Sequence, residues 1–331
     1  MKKILTGYFF ASLLAGIGFA VWRILLMLKY YDPYMKEYMV QADQALNVYG
    51  YALFFAVLLL ATVSVFFIRV GFLGSDHELS EISVSEHQFS TFTSALMGFL
   101  FIAVFVFLSL SLGAMLYPSQ YVLFRRMQLL AWLLLPFVGA YFILQAAEKE
   151  RFVQAKKIFA FLPPVWCVIF LVVSYLNPSY LYNDFNHLLC NASLGALAFF
   201  FLYEAKARIT GKTTAAYFVF SLISMVLCMA YVLPNFILLA YWELSPELNF
   251  IFEAVEIGAV IYIPCMALLL ISSLKKRTSA EEIEYMDIQE YTEYTEYMES
   301  QQSETETQSQ PEEEPVTDIP TEPETNEETL A

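Results

Sequence analysis

The sequence predicts an all-α fold, a polytopic membrane bundle of about eight transmembrane helices with a disordered acidic C-terminal tail. Hydrophobic residues make up 58% of the 331 residues and charged residues 15%, against about 45–50% and about 25% in soluble domains. Eight stretches are long, apolar and almost free of charge, and about 20 such residues cross the hydrocarbon core of a bilayer. The net charge of -15 comes from the tail, because residues 278–331 hold 18 of the 33 acidic residues and no Lys or Arg.

The eight predicted spans lie in a membrane domain of residues 1–277. Their approximate bounds are 5–28, 47–68, 91–116, 128–147, 157–176, 186–204, 214–241 and 249–274. Prolines inside four of them predict kinks, since proline removes an N–H from the helical ladder and clashes with the preceding turn. Neighbouring helices can satisfy the freed carbonyls in a membrane. The kinks are expected at Pro136, Pro163, Pro164, Pro234 and Pro264.

The first span has two interpretations. Two lysines precede an apolar run, as in a secretory signal. That run continues to Leu28 with Arg23 as its single interruption, whereas the apolar part of a signal peptide covers about 7–15 residues. We therefore expect a retained first helix. Small residues between Ala15 and Ala20 keep cleavage open as the alternative, which would leave seven spans.

The distribution of Lys and Arg predicts the orientation. With the N-terminus inside, the inner segments receive 13 of these residues and the outer segments four. Short cytoplasmic loops of membrane proteins carry such an excess of positive charge. We expect a multi-pass protein of the cell membrane, in contact with the lipid bilayer and with both termini in the cytoplasm. Anionic lipid explains the basic cluster at residues 275–277, and no nucleic-acid partner is predicted.

Ionisable side chains within the predicted spans mark a candidate intramembrane polar site. Each costs roughly 2.5–3.5 kcal/mol at mid-helix, and Arg23, Glu253 and Glu256 lie on the order of 6–11 Å below the outer boundary at 1.5 Å per residue. An ion pair between Arg23 and one glutamate would join the first and last helices. The alternatives are a pocket for protons or a cationic ligand, and snorkelling to the interface. Other polar residues predicted in this layer are Arg126, Asp184, Asn186, His187 and Asn191.

No sequence pattern predicts catalysis, a cofactor or a metal site. The chain has no GxSxG, HExxH, P-loop or dinucleotide fingerprint. The four cysteines lie in or at the ends of apolar runs, without CxxC spacing. His77 and His87 flank an acidic inner loop, but their ten-residue spacing matches no ligand pattern. We expect a protein that is not an enzyme and that carries no cofactor or metal.

The tail at 278–331 is of low complexity, rich in Glu, Thr, Ser, Gln and Pro. Such a composition cannot bury a core and stays disordered. Its first part places tyrosines among acidic residues, which predicts either docking of a cytoplasmic protein through residues 279–331 or phosphorylation. A solvated tether is the alternative. The tyrosines concerned are Tyr285, Tyr291, Tyr294 and Tyr297.

Two functional hypotheses follow from this layout. The first is a non-enzymatic membrane sensor or scaffold, with a polar pocket in the outer leaflet and an acidic tail that recruits a partner. The alternative is a secondary transporter or proton-coupled carrier that uses Glu253, Glu256 and Arg23. The proline-broken fifth and seventh spans favour transport. The absence of charged residues deep in the inner half of the predicted spans disfavours it.

Overall fold

The computed structural model describes residues 2–32, 37–69, 77–78, 88–115, 122–147, 152–176, 185–210, 212–213, 215–242 and 255–272. These belong to one compact unit, Met1–Lys275. The tail tyrosines, His87 and Glu253 lie outside the described residues. The described helices are α1 (Lys2–Tyr30), α2 (Asp43–Arg69), α3 (Gln88–Met115), α4 (Val122–Ala146), α5 (Val153–Phe159), α6 (Leu162–Leu176), α7 (Phe185–Thr210), α8 (Ala215–Trp242) and α9 (Val255–Ser272).

Within this described part, eight helical segments are long and apolar enough to cross a membrane. The prediction of an all-α multi-pass membrane bundle is therefore confirmed. The fifth segment, Val153–Leu176, consists of α5 and α6 with a turn at Ala160 and Phe161 between them. Pro163 and Pro164 follow in the first turn of α6. Proline is tolerated there because the first N–H groups of a helix have no helical partner.

Several helices extend beyond the apolar runs that predicted them. α4 begins at Val122, so that Arg125 and Arg126 lie in its first turns. α7 continues to Thr210 and includes Glu204 and Arg208. Hydropathy detects the part of a helix whose side chains face lipid or core, whereas the backbone ladder continues into the interface. The charged ends of these helices are consequently ordered.

α8 and α9 lie at the centre of the bundle. α8 packs on α1 and α7, and the series continues through α6, α4 and α3. α9 contacts α3 where Gly258 meets Met97, and the hydroxyl of Tyr262 on α9 reaches α4 and α7. α8 and α9 are the most enclosed of the described spans and α2 is the most exposed. Large apolar side chains such as Leu14 and Phe99 point outward, each 67% exposed, as a lipid-facing surface requires.

The short connections agree with the threading of eight spans. β1 (Tyr31–Asp32) and β2 (Glu37–Tyr38) form an antiparallel hairpin between α1 and α2. β3 (His77–Glu78) pairs with β4 (Lys212–Thr213). This second pairing joins the connection after α2 to the connection after α7. The predicted threading places both connections on one face of the membrane, and their pairing is compatible with that prediction.

Candidate functional site

Arg23 on α1 is fully buried, and its side chain donates hydrogen bonds to two other helices. Its Nη1 donates to the carbonyls of Ala230 and Tyr231 on α8, at 3.1 and 2.7 Å. Its Nη2 donates to the Oδ1 atoms of Asn186 on α7 and Asn235 on α8, at 2.8 and 2.9 Å. Hydrogen bonds from a charged donor are about twice as strong as neutral ones. The guanidinium thus joins α1, α7 and α8 through neutral acceptors.

The proline inside α8 explains why this helix offers a carbonyl to Arg23. Pro234 lies inside the helix and has no N–H, so that the carbonyl four residues earlier, that of Ala230, loses its helical donor. Arg23 supplies the missing donor. Its guanidinium carbon also lies 5.3 Å from the ring centroid of Tyr231, within cation–π range. The arginine and the proline therefore form one structural unit.

The predicted polar residues at the start of α7 point in two directions. Asn186 faces Arg23. His187, the next residue, is buried with its Nε2 3.0 Å from the Ser174 carbonyl of α6. The side-chain nitrogen of Asn191 lies 3.2 Å from the same ring nitrogen. Adjacent residues project about 100° apart around a helix. His187 therefore joins α7 to α6, with Asn191 of α7 beside its ring, at a different contact from that of Arg23.

The other predicted members of the outer layer are spread over the bundle. Glu256 is fully buried on α9 and lies within electrostatic reach of the Cys167 and Cys228 thiols, on α6 and α8. Arg126 is exposed on α4. The hydrogen bonds described for Arg23 go to α7 and α8, and the Tyr38 hydroxyl also lies close to it. A pairing of Arg23 with Glu253 or Glu256 stays a prediction.

A second buried polar cluster surrounds Glu204 on α7, which is 1% exposed. Its Oε1 accepts a hydrogen bond from the Tyr262 hydroxyl of α9 at 2.5 Å and from Gln145 Nε2 of α4 at 3.2 Å. The same Gln145 nitrogen donates to the Tyr141 hydroxyl. Arg208 Nη2 lies 3.6 Å from Glu204 Oε1, one helical turn further along α7. We refer to these five residues as the Glu204 cluster.

Sequence reasoning did not find the Glu204 cluster. Glu204 is the last residue of the sixth predicted span and lies beside Lys206 and Arg208. The helix α7 continues past it to Thr210 and buries its side chain. The available signal was Gln145, an amide at the inner end of the fourth span that needs a buried partner.

The two clusters lie near opposite ends of the bundle. Asn186, which binds Arg23, and Glu204 are both on α7, separated by about 27 Å at 1.5 Å per residue. That distance approaches the roughly 30 Å of the hydrocarbon core. The Arg23 cluster is therefore a cation among neutral acceptors. The Glu204 cluster is a carboxyl group with a nearby cation, and it lies at a different depth in the membrane.

Among the described residues, no group of three or more His, Cys, Asp or Glu side chains could hold a metal ion. All four cysteines are buried and unpaired as disulfides. No protein-family model, curated protein or solved structure matches the chain. The functional argument therefore depends on the chemistry of the two clusters. Both can hold a charge inside the membrane, and the Glu204 cluster contains hydroxyl and carboxyl groups that can exchange a proton.

Proposed function

We propose that this multi-pass membrane protein is a non-enzymatic sensor or scaffold of the cell membrane. In this proposal polar groups of the outer layer respond to a ligand or to the state of the membrane. α9 passes the change to the tail at 279–331, which recruits a cytoplasmic partner. Both termini lie in the cytoplasm.

The position of Tyr262 is the observation that carries this proposal. Its hydroxyl lies 2.5 Å from Glu204 Oε1 on α7 and 3.0 Å from Gln145 Oε1 on α4. A phenol has one proton and can donate it to one of these acceptors at a time. A small rotation or shift of α9 would exchange the two hydrogen bonds. Such a pair of alternative contacts is the kind of two-state element that a switch needs.

Glu256 supports an input at the other end of α9. It is fully buried and precedes Tyr262 by about 9 Å along the helix. A change in charge near Glu256 would act on the helix that holds Tyr262, since both belong to one rigid element. α9 ends its described part at Ser272, and residues 273–331 follow it directly in the chain.

The test combines removal of the tail with a change of one hydroxyl in α9. Deleting residues 279–331 should abolish the cellular phenotype and leave membrane insertion intact. Tyr262→Phe should change the pattern of adducts formed by a photo-crosslinking residue at position 291, because the exchange of acceptors is lost. Tyr203→Phe is the matched control, since the described contact of Tyr203 is ring stacking on Phe220. A truncated protein that supports every phenotype of the whole would refute the sensor proposal.

A secondary transporter or proton-coupled carrier is the second candidate. The buried carboxyl of Glu204 beside Arg208 favours it, because intramembrane ionisable residues often lie on ion pathways. Arg23, Glu253 and Glu256 would then belong to the outer part of the pathway. Vesicles reconstituted with the protein and loaded with a pH-sensitive dye should report gradient-driven proton flux that Glu204→Gln abolishes. No flux with any imposed gradient would count against transport.

A further inference from the structure

The two carboxyl oxygens of Glu204 have unequal surroundings. Oε1 has three donors within 3.6 Å, from Tyr262, Gln145 and Arg208. Oε2 is buried and has no hydrogen-bond partner among the described residues. A buried carboxylate oxygen without a hydrogen-bond partner has lost its hydration and gained no contact in return. The unequal arrangement leaves a place for a group that the chain itself does not supply.

The hydroxyl of Tyr217 is a second buried oxygen of this kind. Tyr217 is on α8 and 2% exposed, and its hydroxyl has no hydrogen-bond partner within the described ranges. It lies within electrostatic reach of Glu204 and of Tyr141. Two buried oxygens, one on α7 in the Glu204 cluster and one on α8 within electrostatic reach of it, thus lack hydrogen-bond partners among the described residues. Both can offer lone pairs to a cation.

We propose that Glu204 Oε2 and the Tyr217 hydroxyl form a binding site for a small monovalent cation, either a proton or a sodium ion. Carboxyl and hydroxyl oxygens suit hard cations. A divalent ion is not favoured, because Ca²⁺ and Mg²⁺ use six or more oxygen ligands that commonly include several carboxylates. The other four residues of the Glu204 cluster are Tyr141, Gln145, Arg208 and Tyr262, none of which is acidic. This site is independent of whether the tail signals.

Arg208 acts in this proposal as an internal competitor for the cation. Its Nη2 lies 3.6 Å from Glu204 Oε1, and its side chain is 23% exposed. A long basic side chain at the end of a span can extend to the interface. A cation at Oε2 and the guanidinium repel each other. Binding of the cation therefore opposes a position of the Arg208 guanidinium close to Glu204. The exposed part of Arg208 also indicates the face from which the cation enters.

The titratable and charged groups that face this cluster come from five helices. The phenols of the cluster are neutral donors or acceptors near neutral pH, and the two cations are Arg208 and Lys156, which lie within electrostatic reach of each other. A change in pH between mildly acidic and mildly alkaline values would therefore act mainly on Glu204. The groups are Tyr141 on α4, Lys156 on α5, Arg208 on α7, Tyr217 on α8, and Tyr262 and Cys265 on α9.

Infrared difference spectroscopy of the full-length protein in lipid nanodiscs tests the site. In the first arm the sample is shifted from alkaline to acidic buffer without sodium. In the second arm sodium chloride replaces N-methylglucamine chloride at constant alkaline pH. A carbonyl band of a protonated carboxyl in the first arm identifies a proton, and a sodium-dependent change of the carboxylate bands in the second identifies sodium. Glu204→Gln should remove either signal, whereas Glu256→Gln, the other described buried glutamate, should retain it.

Two further variants measure the parts of the site separately. Arg208→Gln removes the competing cation and should lower the half-saturating cation concentration about tenfold. Tyr217→Phe removes one ligand and should raise it several-fold, with an unchanged unfolding midpoint because that hydroxyl has no partner in the described part of the chain. The proposal is overturned if neither arm gives a signal that depends on Glu204, or if Tyr217→Phe binds as the unchanged protein does.

Discussion

At the scale of single residues, the placement of Arg23 shows how this membrane protein accommodates a buried charge. The guanidinium has four neutral acceptors on α7 and α8. Dipoles of carbonyls and side-chain amides compensate part of the desolvation of a buried ion. One of these acceptors, the Ala230 carbonyl, is free for Arg23 because Pro234 cannot donate to it. A charge and a helix break, each costly alone, therefore offset each other.

This interdependence predicts a coupling free energy between Arg23 and Pro234. Arg23→Gln should lower the free energy of unfolding by about 2–3 kcal/mol, since charged hydrogen bonds to α7 and α8 are lost. In a Pro234→Ala background residue 234 can donate to Ala230, so that the same substitution should cost about 1 kcal/mol less. Unfolding in mixed micelles measures both values.

Arg126→Gln is the control for this cycle, because Arg126 is an exposed arginine. Its substitution should change the free energy of unfolding by less than about 0.5 kcal/mol. Equal costs of Arg23→Gln in the two backgrounds would show that Arg23 does not compensate for the proline.

At the scale of helices, two glycines face each other where α3 crosses α4. A Cβ atom added to Gly98 would lie 2.7 Å from the Gly139 carbonyl oxygen and 2.7 Å from Ile143 Cγ1. A Cβ atom added to Gly139 would lie 3.0 Å from the Gly98 carbonyl oxygen. Small residues at such crossings let two backbones approach in a membrane, where packing replaces the hydrophobic effect as the main driving force.

Gly98→Ala should therefore destabilise the bundle by about 1–3 kcal/mol, because the backbone of α4 would have to move away from α3. Gly18→Ala and Gly195→Ala are matched controls, since a Cβ at either position meets nothing within 4 Å. Both controls should be neutral or stabilising by up to about 1 kcal/mol, through helix propensity. The unfolding midpoint in micelles compares the three variants. If Gly98→Ala and Gly18→Ala had the same unfolding midpoint, the crossing of α3 and α4 would tolerate a methyl group.

The helices also show how much the sequence predicts. Length and hydropathy predict all eight spans, and Pro234 predicts a carbonyl in α8 that has no helical donor. Arg23 is recognisable as an intramembrane charge and Asn186 as a polar residue of the same predicted layer. The sequence does not show that Asn186 and Asn235 bind Arg23, because these partners come from helices more than 160 residues away. Glu204 was missed because hydropathy assigns the charged end of a helix to the interface. Which polar faces meet is decided by helix packing, which the periodicity of one chain does not contain.

At the scale of the whole molecule, an aromatic core lies between the two polar clusters. Phe142 packs edge to face on Tyr262 with ring centroids 5.3 Å apart, and Phe101 stacks on Phe142 at 5.7 Å. Trp166 contacts Phe101 at 5.1 Å and donates to the Ala131 carbonyl at 3.2 Å. Aromatic pairs of this kind contribute about 0.5–1.5 kcal/mol beyond their buried area. The core joins α3, α4, α6 and α9 between the Arg23 and Glu204 clusters.

The threading of the chain predicts which cysteines a membrane-impermeant maleimide can reach. The native thiols are buried and should stay unlabelled in intact cells, so that single substitutions can be read in the unchanged background. Val40→Cys lies in the connection between α1 and α2, which the distribution of positive charge predicts on the outside, and should be labelled. Leu330→Cys, in the tail, should be labelled only after permeabilisation, because eight spans return the chain to the side on which it began. With eight spans, seven lie between positions 40 and 330, and an odd number of crossings places the two positions on opposite sides of the membrane. Labelling of both positions in intact cells would therefore contradict the number of spans.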